Sequence, residues 1–328
     1  RKIENHNLMD QVDYYCPFSG EKLQYYESKY LKNKNKSYKI INTIPRFCPI
    51  ENYSDSFGFQ WNLFDKTQLD TYSGSDLTSE RFWNETNWDP KSLTNMSILE
   101  VGCGAGRFSE VFLKETKGVL YSIDYSTAVD ANLRNNRQYG SRLKLSQASI
   151  YQMPFADNCF DKIFCLGVLQ HTPSFSKSLE ALVSKLKVNG EVVIDFYPSK
   201  GLITKLHSKY ILRPISKRIS KKLLLFIIKK SIRFSLLLFD FLCFLKLGFL
   251  TRFIPITDVR GFPVNLSKEE RIQWAIMDTF DAFSPEFDNP QKLKDVINFF
   301  KNLKCEISYA GLVEYKGGSS TVIRAIKK

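Results

Sequence analysis

The 328-residue chain has little proline or glycine, with 12 and 16 residues respectively, while 43% of its residues are hydrophobic. This composition argues against a long disordered tract and indicates that most of the chain folds. The seven cysteines follow no repeating spacing, which argues against a disulfide framework and favours free thiols in a reducing compartment. The start lacks a positively charged stretch followed by an apolar core, so no signal peptide is indicated and a cytoplasmic protein is expected.

Acidic residues are scarce in only one part of the chain. The formal net charge is +13. Between residues 199 and 260 there are fourteen lysines and arginines, against Asp240 and Asp258 as the only acids. Nearly all of the net charge therefore lies in one basic segment, whose position says more about partners than the total does.

The first fifty residues lack the second cysteine of a zinc ribbon. The turn Cys16–Gly20 reads CPFSG, and Ser19 stands where a C-x-x-C turn would have its second thiol. Residues 1–50 are therefore predicted to form a small, degenerate zinc-ribbon-like module without metal. The aromatic and polar residues 51–95 predict a cap segment that packs on a larger domain.

From Ile98 onward, short apolar runs alternate with helical stretches, which predicts βαβ units. Strands are predicted at 98–102, 119–124, 143–149, 162–168, 191–197, 305–313 and 320–326. Helices are predicted at 107–116, 127–137, 176–187 and 291–303, the third ending on a C-cap at Asn189–Gly190. The resulting fold class is α/β, a doubly wound seven-stranded mostly parallel sheet, with a core at 96–198 and 289–328 and a helical insertion at 199–288.

A glycine turn between the first predicted strand and helix carries the chemistry. Residues 100–106 read EVGCGAG, so Gly102, Gly104 and Gly106 let a ligand approach the backbone closely. A dinucleotide-binding turn would have its third glycine at the next position, where Arg107 stands. Asp124 ends the second predicted strand, where its carboxylate can accept the protons of two ribose hydroxyls.

The order of acid and glycines from Glu100 to Gly106 resembles the first motif of class I S-adenosylmethionine-dependent methyltransferases, E/D-x-G-x-G-x-G. Residues 148–173 (ASIYQMPFADNCFDKIFCLGVLQHTP) are similar to the stretch of that family that covers the adenine pocket and the fourth strand. The flanks SFGFQWNLFDKTQLDTYSG and DTFDAFSPEFDNPQ look like segments of bacterial, type 11-like methyltransferases of surface-polysaccharide and small-molecule pathways. The resemblance implies a Rossmann-like enzyme that uses S-adenosyl-L-methionine and needs no metal.

The same resemblance assigns a cofactor-binding set. Its members are Glu100, Gly102, Cys103, Gly104, Gly106, Asp124, Tyr125, Ser149, Ile150, Leu166 and Gly167. Ser149 departs from the family, which often has an aspartate there to accept from the adenine amino group. A serine hydroxyl accepts less strongly, so weaker cofactor affinity is expected.

Other residues allow two interpretations each. His171 follows the fourth predicted strand and would act as a general base for an oxygen acceptor or hold its loop by a backbone hydrogen bond. Asp278 and Asp281 would supply an acceptor pocket or belong to ordinary turns. Four further residues would either line the pocket or pack: Gln60, Trp61, Arg107 and Phe108. Asp161 is interpreted as structural.

Within the basic segment, Lys222, Lys229, Arg233 and Asp240 are spaced to form one stripe on an otherwise apolar helix. Asp240 and Lys246 interrupt its apolar run, which is too short for the roughly 20 residues of a membrane span. The segment would therefore lie on an anionic membrane surface, as a peripheral contact at the inner membrane face. The alternative is a lid or dimer contact covered by protein.

The acceptor predicted from these features is a small molecule, a sugar or a lipid-linked sugar. A nucleic-acid methyltransferase is the alternative and is judged unlikely, because the cations alternate with aliphatic rather than aromatic residues. The motif N/D-P-P-[YF] of amine methylation is also absent, since the sequence has LQHTP at that place. A non-enzymatic membrane-associated module with a vestigial cofactor fold is the third interpretation.

Overall fold

The computed structural model describes residues 12–199, 201, 206–263 and 266–328. Its first unit is a four-stranded antiparallel sheet made of β1 (Gln24–Tyr26), β2 (Tyr30–Lys32), β3 (Ser37–Ile41) and β4 (Ile44–Pro45). The seven strands of the large sheet are β5 (Ser97–Val101), β6 (Val119–Asp124), β7 (Leu143–Gln147), β8 (Phe160–Cys165), β9 (Leu186–Phe196), β10 (Cys305–Tyr315) and β11 (Gly318–Lys327).

The described helices lie before the large sheet, between its strands and in the segment that precedes its last two strands. The segment before the core holds α1 (Asp55–Leu63), α2 (Asp70–Ser73) and α3 (Leu77–Thr86). Between the strands lie α4 (Arg107–Glu115), α5 (Val129–Asn136) and α6 (Phe175–Lys185). The insertion contains α7 (Ser208–Ser216), α8 (Lys221–Phe244) and α9 (Lys268–Phe283), and α10 (Leu293–Asn302) precedes the last two strands.

The large sheet has the order β10-β11-β9-β8-β5-β6-β7, in which β5 to β9 are parallel and β11 runs antiparallel to both of its neighbours, β9 and β10. The predicted fold class is confirmed. The order reverses at β5, which pairs with β6 on one side and β8 on the other, so the connections after β5 and β8 leave in opposite directions. Such a switch point opens a crevice at the carboxyl ends of the strands, where open α/β sheets bind ligands.

One predicted boundary is wrong. Helix α6 ends at Lys185, and Asn189–Gly190 is a bulge inside β9 rather than a helix C-cap. Asn189 has the positive φ of 64° that the sequence suggested, but it lies within β9, between Leu186 and Glu191, which pair with β8 on either side of the bulge. A Cβ on Gly190 would lie 2.9 Å from the Asp161 carbonyl oxygen, so the bulge needs glycine for this close approach.

The N-terminal sheet packs against the edge strand β7 of the large sheet. The backbone N–H of Phe47 donates to the Gln147 carbonyl over 2.8 Å, and the backbone N–H of Val12 donates to the Tyr121 hydroxyl over 2.8 Å. Tyr14 is buried in the same apolar cluster as Tyr121 and the centre of the large sheet. The predicted module therefore shares a continuous core with the domain that follows it.

Helix α8 forms the long element of the insertion. Leu225, Ile228, Ile232 and Phe239 are buried on one of its faces and pack in one cluster with residues of α9 such as Phe280. Among the described residues, no helix has the length and apolar character required to cross a bilayer.

Candidate functional site

A cavity of about 1050 Å³ lies at the carboxyl ends of β5, β6, β8 and β9. The glycine turn after β5 forms one wall, α1 and α3 contribute a second, and α7 and α9 of the insertion contribute a third. Ligand pockets commonly measure about 300–1,000 Å³, so this volume can hold two reactants side by side.

The glycine turn has the backbone that its sequence requires. Gly102, Gly104 and Gly106 all have positive φ, at 81°, 52° and 87°. A Cβ on Gly102 would collide with Val168, whereas a Cβ on Gly104 would point into the cavity, with the Trp61 Nε1 atom 3.4 Å away. The turn thus presents bare backbone at Gly104, beneath the Trp61 side chain.

Asp124 ties the turn to β6. Its Oδ2 atom accepts from the Gly104 N–H over 2.9 Å, and its Oδ1 atom accepts from the Ser126 N–H and hydroxyl over 2.8 and 2.7 Å. Burial raises the pKa of the Asp124 carboxyl, while these donors oppose the shift. A carboxylate in this position has lone pairs left for donors that enter the cavity.

Glu100 lies behind the turn instead of facing the cavity. One carboxylate oxygen accepts from Ser109 on α4 and, over 2.6 Å, from Ser122 on β6. The other oxygen has no hydrogen-bond partner among the described residues. Burial raises the pKa of Glu100 to about 7 from its ordinary value of 4.5. The side chain positions the turn by joining α4 to β6.

Replacing Glu100 by glutamine is expected to change the pH dependence of stability. Because the folded-state pKa is the raised one, the contribution of Glu100 to stability is present below pH 4.5 and is lost as pH rises through about 7. Wild type should lose up to about 3 kcal/mol of unfolding free energy relative to Glu100→Gln between pH 4.5 and pH 8. Urea unfolding across that range measures the difference. The exposed Glu180→Gln variant is the matched control, and a constant difference across pH would contradict the assignment.

The remaining predicted cofactor residues divide between the cavity wall and the structure behind it. The wall includes Gly102, Cys103, Gly104, Asp124, Tyr125, Ile150, Leu166 and Gly167. Glu100, Gly106 and Ser149 do not reach it. Gly106 faces the Asn132 and Asn136 side chains of α5, and the Ser149 hydroxyl accepts from the Tyr151 N–H over 3.2 Å as the cap of a short 3-10 turn.

Arg107 and Asp278 face each other through Gln68. The Gln68 amide accepts from the Arg107 guanidinium over 2.7 Å and donates to Asp278 over 3.3 Å. Burial, reinforced by repulsion from Asp281, raises the pKa of Asp278 to about 7. Burial and repulsion from Arg81 lower the pKa of Arg107 to about 10, so it keeps its charge at neutral pH.

Arg81 and Asp195 are cavity residues that the sequence analysis missed. The Asp195 carboxylate, near the end of β9, accepts from the Gly167 N–H and from Arg81, which also bonds Glu85 over 2.8 Å. This network holds the turn after β8 against β9. An acid near the carboxyl end of a parallel strand was the available signal, because Asp124 occupies the corresponding place on β6.

His171 is a buried residue of the cavity wall, and the centre of its ring lies 5.0 Å from that of Phe57 and 5.8 Å from that of Tyr197. Its Nδ1 atom lies 3.0 Å from the Phe287 carbonyl oxygen. Since a carbonyl only accepts, Nδ1 carries the proton and Nε2 has a free lone pair. Burial lowers the pKa of His171 below 6.5, which keeps the ring neutral at pH 7.

The insertion adds charged and aromatic groups beside His171. The Lys209 ammonium pairs with Asp288 and lies 4.5 Å from the centre of the Tyr197 ring. Asp281 lines the cavity near Asp278. Trp61 and Phe108 also line it, whereas Gln60 is fully buried outside it. One half of the cavity is therefore lined by the backbone of the glycine turn and the Asp124 carboxylate. The other half contains the neutral imidazole of His171.

Residues 99–194 match the family model described as a methyltransferase domain. The tRNA U34 carboxymethyltransferase of Pseudoalteromonas atlantica is 28% identical over 192 residues, which are 51% of this chain and 59% of that protein. The enzyme of the same name from Nautilia profundicola is 31% identical over 105 residues, which are 32% of this chain and 35% of that protein. The chain thus spans less than two thirds of the length of these relatives.

Among solved structures, a similar one is that of magnesium protoporphyrin IX methyltransferase from Synechocystis PCC 6803 with bound SAM. It is 14% identical with a TM-score of 0.46, and the match covers 84% of this chain and 94% of that chain. A similarity at this level of identity and TM-score does not indicate an activity.

Proposed function

Because residues 99–194 form a class I S-adenosylmethionine-dependent methyltransferase domain, we propose that this enzyme modifies a transfer RNA. S-adenosyl-L-methionine is its cofactor. The observation that carries the proposal is that both curated relatives described above are tRNA U34 carboxymethyltransferases.

These relatives overturn the acceptor predicted from the sequence, and the small-molecule, sugar or lipid-linked interpretation is wrong. The judgement that nucleic acid is an unlikely partner is wrong for the same reason. Lysines and arginines contact phosphates whether or not aromatic residues alternate with them. The missing amine-methylation motif is also uninformative for a uridine, which has no exocyclic amine.

The residues of the cavity wall fit the cofactor. Gly104 presents bare backbone beneath the Trp61 ring, where a Cβ would already be in contact with the Trp61 Nε1 atom, and this surface suits the amino-acid part of the cofactor. We assign the ribose hydroxyls to Asp124 and the adenine edge to the backbone of Ile150. When bound, the cofactor supplies an activated methyl group on a sulfonium centre, and the protein contributes orientation and exclusion of water.

The other half of the cavity suits an unstacked base. Phe57 and Tyr197 flank His171 on two sides, and Lys209 lies over the Tyr197 ring. Bases from single-stranded RNA loops stack on such aromatic rings and are read by nearby polar groups. We assign the general base to the free Nε2 atom of His171.

The basic segment borders this half of the cavity. Lys209 of α7 and Ile256 of the segment between α8 and α9 are part of the cavity wall. Lys222, Lys229 and Arg233 on α8 are exposed to solvent. If a nucleotide of an RNA occupied the cavity, the phosphates of the neighbouring nucleotides would therefore lie beside a surface rich in cations.

The predicted limits of the N-terminal module, the cap and the insertion are proposed as the domain organisation, with 96–198 and 289–328 as the catalytic core. Contact of the basic segment with a membrane surface and a location at the inner membrane face stay predictions.

Incubation of the protein with total tRNA and methyl-labelled cofactor tests the proposal. Label is expected in nuclease-sensitive material, and nucleoside mass spectrometry then identifies the base that gains a methyl group. Label that appears only in nuclease-resistant small molecules or lipids would refute an RNA acceptor.

Binding of tRNA should weaken steeply with salt, because phosphate contacts release counterions. Each lysine removed from the contact should reduce the slope of log K against log salt by about 0.7–0.9. The variant Lys222→Gln/Lys229→Gln is expected to lower the slope, measured by fluorescence anisotropy. Lys34→Gln/Lys36→Gln, which changes two exposed lysines in the turn between β2 and β3, should leave the slope unchanged. Equal slopes for all three proteins would exclude α8 from the contact.

A further inference from the structure

Helix α8 has a second apolar face that the described residues leave uncovered. Its inward face contains Leu225, Ile232 and Phe239, which are buried at intervals of seven. Around the opposite side, large apolar side chains are exposed, among them Phe234 at 71%, Leu237 at 70% and Phe244 at 83%. Scattered single apolar residues on a surface need no explanation, but a continuous stripe marks an interaction site.

The outward stripe has the spacing of a coiled-coil seam. It consists of Leu223, Ile227, Lys230, Phe234, Leu237, Phe241 and Phe244, which are separated alternately by four and three residues. A repeat of this kind averages 3.5 residues and keeps one face of a helix against a partner helix. The stripe occupies the a and d positions, whereas Leu225, Ile232 and Phe239 occupy the f position on the opposite side.

We propose that this stripe, Leu223 to Phe244, pairs two copies of the chain through their α8 helices in an antiparallel arrangement. The exposed phenylalanines on and beside the stripe, each with about 150–250 Å² of surface, together expose roughly 500 Å². The exposed aliphatic side chains bring the patch near the roughly 800 Å² per partner of a standard stable interface.

The charges favour the antiparallel direction. In the register that sets Phe234 against Leu237 of the second copy, Ile227 meets Phe244 and Lys230 meets Phe241. Each Lys230 then lies against an aromatic ring, a favourable arrangement for an ammonium group. A parallel pair would instead place the two Lys230 ammonium groups in one apolar layer, which costs free energy.

The same register creates ion pairs. Arg233 and Asp240 are both at the g position, and g residues oppose each other in antiparallel coiled coils. Arg233 of each copy thus comes opposite Asp240 of the other. Asp240 already accepts from Arg271 of its own chain over 2.8 Å, and it remains half exposed. One exposed carboxylate can accept from two guanidinium groups.

Sedimentation velocity on the full chain over a range of concentrations tests the pairing. Wild type is expected to dimerise, and Leu237→Glu to remain monomeric, because the glutamate would bury a charge in the central layer. Ile215→Glu changes an apolar side chain of similar exposure on α7 and should leave the dimer intact. A wild type that is monomeric at all concentrations would overturn the proposal. If that monomer bound lipid vesicles and the Leu237→Glu variant did not, the exposed face of α8 would be a membrane contact instead.

Charge reversal tests the register. Arg233→Glu or Asp240→Arg alone should raise the dimer dissociation constant by roughly tenfold or more, because each creates two like-charge contacts. The double variant restores both pairs and should return the constant to near the wild-type value. Arg271→Gln removes only the contact within one chain and serves as control for Asp240→Arg. Additive weakening in the double variant would rule out the antiparallel register.

Discussion

Replacing Asp124 by alanine is expected to weaken binding of S-adenosyl-L-methionine by roughly 100-fold. The side chain holds the Gly104 N–H, and in the proposed cofactor site it would also offer the ribose the remaining lone pairs of a carboxylate. Hydrogen bonds to a charged group contribute about 1.5–3 kcal/mol each, so loss of two of them accounts for a change of this size. Isothermal titration calorimetry measures it directly.

Two controls separate the loss of a ligand contact from the loss of the turn. Asp157→Asn alters a carboxylate that is largely exposed and is not part of the cavity wall, and it should bind the cofactor like wild type. Thermal unfolding of Asp124→Ala without cofactor shows whether the domain still folds. A folded Asp124→Ala variant with wild-type affinity would remove Asp124 from the cofactor site.

Replacing His171 by alanine is expected to lower the single-turnover rate with tRNA by roughly 10²–10⁴-fold and to leave cofactor affinity unchanged. The base acts only when neutral, and its pKa lies below 6.5. The wild-type rate should therefore be level near pH 7 and fall as pH drops through that pKa. The alanine variant should lack this acid limb. Rapid-quench measurements between pH 5 and pH 8 provide the profile.

The His171→Gln variant distinguishes a base from an anchor. A glutamine amide can donate to the Phe287 carbonyl as Nδ1 does, but it cannot take up a proton. Recovery of the rate in His171→Gln, relative to alanine, would mean that His171 holds the loop and that another group is the base. Asp278 would then be examined next, because its raised pKa of about 7 also suits proton transfer.

The glycine turn and the sheet could be predicted from the sequence because both depend on neighbours in the chain. Gly102, Gly104 and Gly106 have the positive φ values that their spacing implies, and the alternation of strands and helices specifies a parallel sheet. The bulge at Asn189–Gly190 could not be predicted, since the same two residues serve helix ends and strand bulges equally well.

The Arg81–Asp195 pair lies beyond local patterns, because 114 positions separate its members. Glu100 shows the opposite difficulty. A motif placed it correctly before the turn, but its direction follows from the Ser109 and Ser122 hydroxyls, which reach it from two other elements. The half of the cavity around His171 was the hardest part to predict, because its wall combines residues of α1, β9 and the insertion. No single stretch of sequence contains it.

The shared core of the N-terminal sheet has a consequence for the order of folding during synthesis. This unit leaves the ribosome before the large sheet, yet Val12 and Tyr14 make their hydrogen bonds with Tyr121 and Ser146, which follow 109 and 132 residues later. Local strands form within microseconds, whereas contacts at such separations wait for the intervening chain. A segment made before the large sheet is therefore among the last to reach its final packing, and its apolar residues remain uncovered until β7 has been translated.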